Sequence, residues 1–437
     1  LTGCIEDTNM SNPHALTEVV LPYGRQQVRL QVPTSSLRSV LTPAAHPACA
    51  DPGAEIRRAL AAPVGAPPLR EAVRQARRVV IAADDLTRQT PVGLAIPLML
   101  DEINQAGVSD EQVCVLIALG THRPMTPAEI SCHFGGEVTR RVQVLNHAWQ
   151  TPSALADLGR SANGTPVRIN RTALEADFLI GVGSIVPHHI PGFSAGAKII
   201  QPGLSGAETT GATHYLSTRT RRSYLGMVEN PVRAEIDRIG QQAGLKTVLN
   251  LVLNPDGGLV RAFYGDFVQA HRAGVQVSQQ VYGAGFTAPA DIVVAGSHPC
   301  DIEFWQAHKS LYPADLTVTP GGTIIVVTPC PEGVSVTHRD MLEFTALPAE
   351  QIDARIQAGE IHDLVSGALA LAWARVRERS EVYLVSDGIR KEDARALGFH
   401  PFDSAQEALQ AALQRHGAAA GVHVLTHAPD TLPIRRG

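Results

Sequence analysis

Three kinds of chemistry crowd into residues 185–215, which read IVPHHIPGFSAGAKIIQPGLSGAETTGATHY. His188 or His189 can exchange a proton near neutral pH, and His214 can offer a neutral imidazole to a metal ion. Lys198 lies in AGAKII, where loss of water lowers an ammonium pKa and leaves a nucleophilic amine, or an anchor for a covalently held cofactor. Gly192, Ser194, Ala195, Gly196 and Ala197 carry little side-chain bulk, so a large group can approach the backbone and its amide donors. Taken singly, each residue has an ordinary reading. A loop histidine is usually solvated or a satisfied core residue, and a lysine near glycines more often meets phosphate than carries a cofactor. The combination therefore needs partners from elsewhere in the chain.

Two apolar runs of strand length supply them. Residues 78–83 (RVVIAA) end in DDLTRQTP, and a helix is expected over 92–106. Residues 112–119 (QVCVLIAL) end in GTHRPMT, and Thr126-Pro127-Ala128-Glu129 forms a capping box with proline at the first helical position. Arg88 can clamp a carboxylate or phosphate, Asp85 can orient an imidazole, and His122 sits on the same kind of strand-to-helix turn as Arg88. Open α/β sheets bind ligands at the carboxyl ends of parallel strands. A further strand at 176–182 runs straight into the 185–215 stretch, so three strand ends point Arg88, His122 and His188 toward one crevice. A hairpin is expected over 18–32 around Tyr23-Gly24, and 33–52 reads as irregular. A second hairpin spans 247–265 with Pro255-Asp256-Gly257-Gly258 at its turn.

A second α/β unit opens with ADIVVAG at 290–296. Its first helix holds Trp305, Gln306 and Lys309, and a three-residue spacing places Gln306 and Lys309 on one helical face. Further strands are expected at 323–328, 381–385 and 421–425, with an alanine-rich helix near 405–416. The fold class is thus α/β: two domains, each a mostly parallel sheet flanked by helices, with the active site in the interdomain cleft. The expected division is a disordered segment over 1–16, a cofactor-binding catalytic domain over 17–270, a connector over 271–288 and a closing domain over 289–437. Met10 is the expected natural start.

The 437 residues allow two domains with sizeable cores. A net charge of −5, from 37 basic and 42 acidic residues, leaves no basic stripe for nucleic acid. No apolar run approaches the roughly 18 residues of a membrane span. Six scattered cysteines without a C-x-x-C pair suggest neither a disulfide framework nor a zinc knuckle, which is the pattern of a reducing cytoplasm.

DDLTR at 84–88, GTHRPMT at 120–126, PHHIPGFSAGAKIIQPG at 187–203, His214 and the Gln306/Lys309 pair together resemble the nickel-pincer lactate racemase family. The resemblance implies a racemase or epimerase that inverts C2 of a 2-hydroxy acid through nickel and a pincer nucleotide. That cofactor is a pyridinium-3-thioamide-5-thiocarboxylic acid mononucleotide joined to a lysine, matched here by Lys198, with His214 matching the nickel ligand. His122 and His188 match the acid/base pair; Arg88, Gln306 and Lys309 match residues that hold the substrate. Asp85, Ser194 and Gly196 are expected to line the cofactor, and Trp305 the substrate. Lactate-using members of the family carry a tyrosine where Trp305 stands, so the expected substrates extend to longer, aromatic, dicarboxylic or sugar-derived 2-hydroxy acids. The C2–H of such an acid is poorly acidic, so hydride removal coupled to proton uptake by a histidine is the easier route to a ketone. Expected partners are the small-molecule substrate and the enzymes that make the cofactor and insert nickel. Assembly into a homo-oligomer stays open, and His189 has no assigned part.

Two other readings compete. A zinc hydrolase would use His122, His188 and His214 as three ligands and leave Lys198 without a role. A two-domain carboxylate-binding protein would close on its ligand without chemistry.

Overall fold

The structure, a computed structural model, describes residues 15–436. It contains two six-stranded sheets, each flanked by helices. In spatial order the first sheet runs Leu259–Asp266, Leu245–Leu253, Phe178–Ser184, Val79–Ala83, Val113–Ile117 and Gln143–Asn146. All neighbours are parallel except the edge hairpin of Leu245–Leu253 with Leu259–Asp266. Val79–Ala83 (VVIAA) is buried along its whole length, as a strand covered on both faces must be. The second sheet runs His400–Phe402, Glu381–Val385, Val318–Val327, Ala290–Gly296, Val422–Leu425 and Leu37–Leu41, all parallel.

Strand order explains where ligands can bind. Successive strands flank Val79–Ala83 on opposite sides, Val113–Ile117 on one and Phe178–Ser184 on the other, so the chain direction around the sheet reverses there. The loops leaving these three carboxyl ends diverge and open a crevice. Ala290–Gly296 holds the corresponding position in the second sheet, between Val318–Val327 and Val422–Leu425. Its outgoing loop carries the Trp305–Lys309 segment. The Thr126 capping box forms as expected: the Thr126 hydroxyl accepts from Glu129 N–H at 3.3 Å, and Glu129 Oε2 accepts from Thr126 N–H at 2.7 Å. It fixes the helix Pro127–Arg141 directly behind the His122 turn.

The domain division departs from the expected 17–270 and 271–288 boundaries. Leu37–Leu41, inside a segment expected to be irregular, adds a parallel edge strand to the second sheet. The antiparallel hairpin Leu16–Tyr23 and Gln26–Pro33 goes with it, because Leu21, Leu30 and Val32 pack among Ile292, Val294, Ile325 and Val327. Gln269–Tyr282 is no connector: it is a helix whose Ala270, Val275, Val281 and Tyr282 are buried in the core beneath the first sheet. The strand Gly283–Phe286 then pairs with Leu432–Arg435. From residue 15 the described chain therefore runs in the second domain, builds the first from about residue 52 to 282, and returns. Of the segment 1–16 expected to be disordered, residues 1–14 lie outside the described residues, as does Met10, and Leu16 opens a strand. No helix among the described residues is long and apolar enough to cross a membrane.

Candidate active site

A cavity with about 80 Å³ of free space lies where the carboxyl ends of the two sheets face each other. Asp84, Asp85 and Arg88 reach it from the first strand end, His122 from the second, and His188, Lys198 and His214 from the 185–215 stretch. Trp305, Gln306 and Lys309 close it from the second domain. Residues spread over more than 200 positions thus share one chamber, as the three-strand argument anticipated.

A hydrogen-bonded chain crosses the domain boundary. Asp85 Oδ2 accepts from His122 Nδ1 at 2.7 Å, while Asp85 Oδ1 accepts from the Thr87 hydroxyl at 2.6 Å and the Thr87 amide at 3.1 Å. Burial alone would raise the Asp85 carboxyl, but the adjoining His122 and Arg88 and these hydrogen bonds hold it well below the usual aspartate range. His122 Nε2 lies 2.9 Å from Gln306 Nε2, and Gln306 Oε1 accepts from the Lys309 ammonium. Since an ammonium only donates, these contacts assign every member: Gln306 donates to His122 Nε2, and His122 Nδ1–H donates to Asp85. The imidazole is held in one tautomer with its Nε2 lone pair toward the cavity.

His188 has the opposite tautomer, because its Nδ1 accepts from Ile190 N–H at 3.2 Å. Burial, reinforced by the charge of Lys198, holds its pKa well below the ordinary value. His189 stacks on it at 4.7 Å and is itself sandwiched against Tyr312 at 3.9 Å, which makes His189 part of the wall behind His188.

Lys198 is one of four lysines in the chain; Lys246 and Lys391 are exposed, and Lys309 shares its cavity. Burial and the nearby Arg88 and Lys309 charges push the Lys198 pKa far down. No hydrogen-bond acceptor or ion-pair partner holds its amine among the described residues. His214 donates Nδ1–H to Thr210 O at 2.8 Å within the helix Ala207–Ser217, leaving Nε2 as a bare donor toward the cavity. Its pKa falls to about 3, chiefly through burial, so it is neutral and ready to ligate a metal at ordinary pH. Arg88 has no ion-pair partner among the described residues, and Lys309 is pulled down to about 8 by burial and by Arg88. Both cations face the cavity without a protein carboxylate bound to them.

Of the two small residues expected beside the cofactor, Ser194 lines the cavity and Gly196 does not. The Ser194 hydroxyl is spent inside its own loop, donating to Ser184 O at 2.6 Å and accepting from Val186 N–H at 2.9 Å. Gly196 lies off the cavity: its N–H donates to Asn250 Oδ1 at 3.2 Å, and a Cβ there would meet His271 at 2.9 Å. Its positive φ and this close packing leave no room for a side chain. Trp305 does line the cavity, but its ring stacks on buried His338 at 4.0 Å. His338 bridges the domains, binding Asp363 through Nδ1 and Thr121 Oγ1 at 3.0 Å through Nε2. Arg123 does the same through an ion pair to Glu332 at 2.7 Å. No sequence spacing marks His338, Asp363 or Glu332, since they meet the site only through folding.

Among the described residues no three metal-binding side chains converge. His122 is committed to Asp85 and Gln306, so the zinc trio of His122, His188 and His214 is not assembled. The arrangement offers one histidine ligand, one reactive amine and paired cations for a carboxylate.

Residues 23–226 match the lactate racemase N-terminal domain and residues 286–431 the lactate racemase C-terminal domain. The chain belongs to the lactate racemase family. It is 28% identical over 406 residues to lactate racemase of Thermoanaerobacterium thermosaccharolyticum, covering 91% of this chain and 94% of that protein. It is 26% identical over 429 residues to lactate racemase of Lactiplantibacillus plantarum, covering 96% and 99%. The apoprotein structure of the first of these superposes with a TM-score of 0.86 at 25% identity, covering 96% of this chain and all of that one. A Thermotoga maritima protein shares the fold, with a TM-score of 0.70 at 20% identity over 84% of this chain and 98% of its own. The protein is an isomerase of the racemase class.

Proposed function

We propose that this isomerase inverts C2 of a 2-hydroxy acid by hydride removal and return, with His122 and His188 exchanging the hydroxyl proton. The observation that carries the proposal is the Asp85–His122–Gln306–Lys309 chain, which joins an oriented base to a carboxylate-binding cation. A buried carboxylate fixes the tautomer of His122 and stabilises the imidazolium that forms. Arg88 and Lys309 take the substrate carboxylate, and Gln306 turns from His122 to the substrate oxygen or bridges both.

Lys198 and His214 fit the nickel pincer nucleotide as attachment point and nickel ligand: one amine is desolvated and unpaired, and one imidazole has its Nε2 free. When bound, that group supplies the acceptor that takes and returns the hydride. The proton then balances on the protein. In one direction His122 starts neutral, takes the hydroxyl proton as the ketone forms, and charged His188 gives a proton as the alcohol re-forms. In the other direction the two start in exchanged states. Burial first, and then the neighbouring positive charges, oppose a proton on His188; acylation of Lys198 removes one of those charges for good, and a bound carboxylate offsets Arg88 and Lys309. Closure of Gln306 and Lys309 over the substrate excludes water that would quench the ketone.

The test is protein co-produced with the cofactor-making enzymes and loaded with nickel. Intact mass is expected to show a nucleotide-sized adduct that Lys198→Ala abolishes. Chiral chromatography is expected to show inversion of a 2-hydroxy acid that His122→Ala and His188→Ala each suppress. Full activity in both histidine variants, or an adduct that survives Lys198→Ala, refutes the proposal.

A further inference from the structure

A second, smaller chamber with about 30 Å³ of free space adjoins the main cavity and shares Thr87, Arg88, His188 and Lys309 with it. Lys198 and His214 line only the main cavity, so the shared residues form a partition: cofactor side on one face, a separate space on the other. Apolar groups dominate the rest of the second chamber, Val186, Leu253 and Pro429 among them. Gln89, Ser184, Tyr282 and Cys300 add polar atoms, and Asp430, which follows the strand Val422–Leu425 on the short turn Ala428–Asp430, adds a carboxylate. Asp430 is only 8% exposed, yet its carboxylate makes no hydrogen bond and no ion pair among the described residues. A buried carboxylate in an apolar wall is unfavourable unless something donates to it. None of these is that donor: the Tyr282 hydroxyl donates to Leu253 O at 2.7 Å, the Ser184 hydroxyl pairs with Thr90 at 2.7 Å, and the Cys300 sulfur accepts from Lys309.

We propose that this chamber receives the substituent beyond C2 of the hydroxy acid, and that Asp430 selects a substituent bearing a hydrogen-bond donor over one bearing a second carboxylate. The inference rests on the function proposed above. With the carboxylate on Arg88 and Lys309 and the hydroxyl at His122 or His188, the remaining bond at C2 has the partition as its neighbour. A methyl group would leave part of the chamber unfilled and Asp430 without a donor. A hydroxyl-bearing chain would fill it and donate to Asp430. A carboxylate tail would meet Asp430 as a like charge in an apolar enclosure, which the nearby Arg88 and Lys309 cannot relieve while they hold the first carboxylate. The substrate class that fits is a 2-hydroxy acid with further hydroxyls along its chain.

Three four-carbon probes separate the possibilities: 2-hydroxybutanoate, 2,4-dihydroxybutanoate and 2-hydroxysuccinate, assayed with nickel-loaded wild type and Asp430→Asn. In wild type, kcat/KM is expected to be highest for the dihydroxy acid and lowest for the diacid. In Asp430→Asn the dihydroxy-to-monohydroxy ratio is expected to fall, and the diacid-to-monohydroxy ratio to rise, each about tenfold and mostly in KM. Calorimetric binding of the same acids to the unloaded protein is expected to follow the same order, independent of turnover, with melting curves confirming that the variant folds. Parallel changes for all three acids would mean that Asp430 only balances charge, and would overturn the inference alone. A wild type that prefers the diacid would overturn it too. Inversion of none of the acids, with or without the Lys198 adduct, overturns the proposed function and this inference with it.

Discussion

Replacing Asp85 by asparagine tests whether one carboxylate sets the protonation of the whole site. Asp85 Oδ1 accepts two hydrogen bonds from Thr87, and Oδ2 accepts one from His122. An asparagine keeps only one acceptor, so satisfying Thr87 turns its NH2 toward His122 Nδ1. His122 must then carry its proton on Nε2, where it meets the Gln306 amide N–H. Gln306 can flip only by turning that amide toward the Lys309 ammonium, setting donor against donor. A hydrogen bond to a charged group contributes about 1.5–3 kcal/mol, which is a loss of roughly 10- to 150-fold in kcat. The tautomer conflict adds to it, up to a total near ten-thousandfold in the manner of other oriented histidine bases. KM should change little, because Arg88 is untouched. The assay is steady-state inversion by the nickel-loaded protein, with 15N chemical shifts of His122 in the unloaded protein reporting the tautomer directly. A variant that keeps kcat within threefold, or whose His122 retains its Nδ1 proton, refutes the reasoning.

Three further outcomes follow from the same geometry. Reductive methylation of the unloaded protein, followed residue by residue by mass spectrometry over pH 6–11, should give midpoints for Lys198 and Lys309 below those of exposed Lys246 and Lys391; equal midpoints would remove the physical basis for a reactive Lys198. Glu332→Gln, which breaks the interdomain ion pair to Arg123, should weaken closure by at most about 1 kcal/mol, raising KM up to fivefold at low salt and not at high salt. Asp430→Asn should raise stability above pH 6. Burial lifts the Asp430 carboxyl to about 6 against the pull of Lys309, Arg88 and His298, so the folded state binds an extra proton and loses stability as pH rises from about 4 to 6. The gain is about 2–3 kcal/mol, and a thermal-denaturation series in which the two proteins run parallel from pH 4 to 8 would contradict it.

Much of this architecture is legible in the amino-acid order because local rules decide it. VVIAA at 79–83 can only be a strand buried on both faces, and the Thr126-Pro127-Ala128-Glu129 box can only start a helix. Those two rules place His122 and Arg88 at neighbouring strand ends. The strand Leu37–Leu41 was not legible in the same way. Five residues on a sheet edge with alternating burial carry little periodic signal, and their partner Val422–Leu425 lies almost 400 positions away. The helix Gln269–Tyr282 falls largely in the segment expected to be a connector, because nothing local shows which core receives its apolar face.

Residue types and spacings by themselves determined the working parts: a lysine in an apolar run, histidines at strand ends, a Gln–Lys pair on one turn of helix. These are properties of short segments, in which neighbours in sequence are neighbours in space. Tertiary structure alone decided which nitrogen His122 uses, because Asp85 and Gln306 reach its ring from separate elements, whereas His188 and His214 are set locally, by Ile190 two residues on and by Thr210 one helical turn back. It tied the Ser194 hydroxyl into its own loop and packed Gly196 against His271, and it buried Asp430 beside Arg88 and Lys309. Protonation and burial depend on everything within a few ångströms, and packing brings together groups that no spacing in the chain relates.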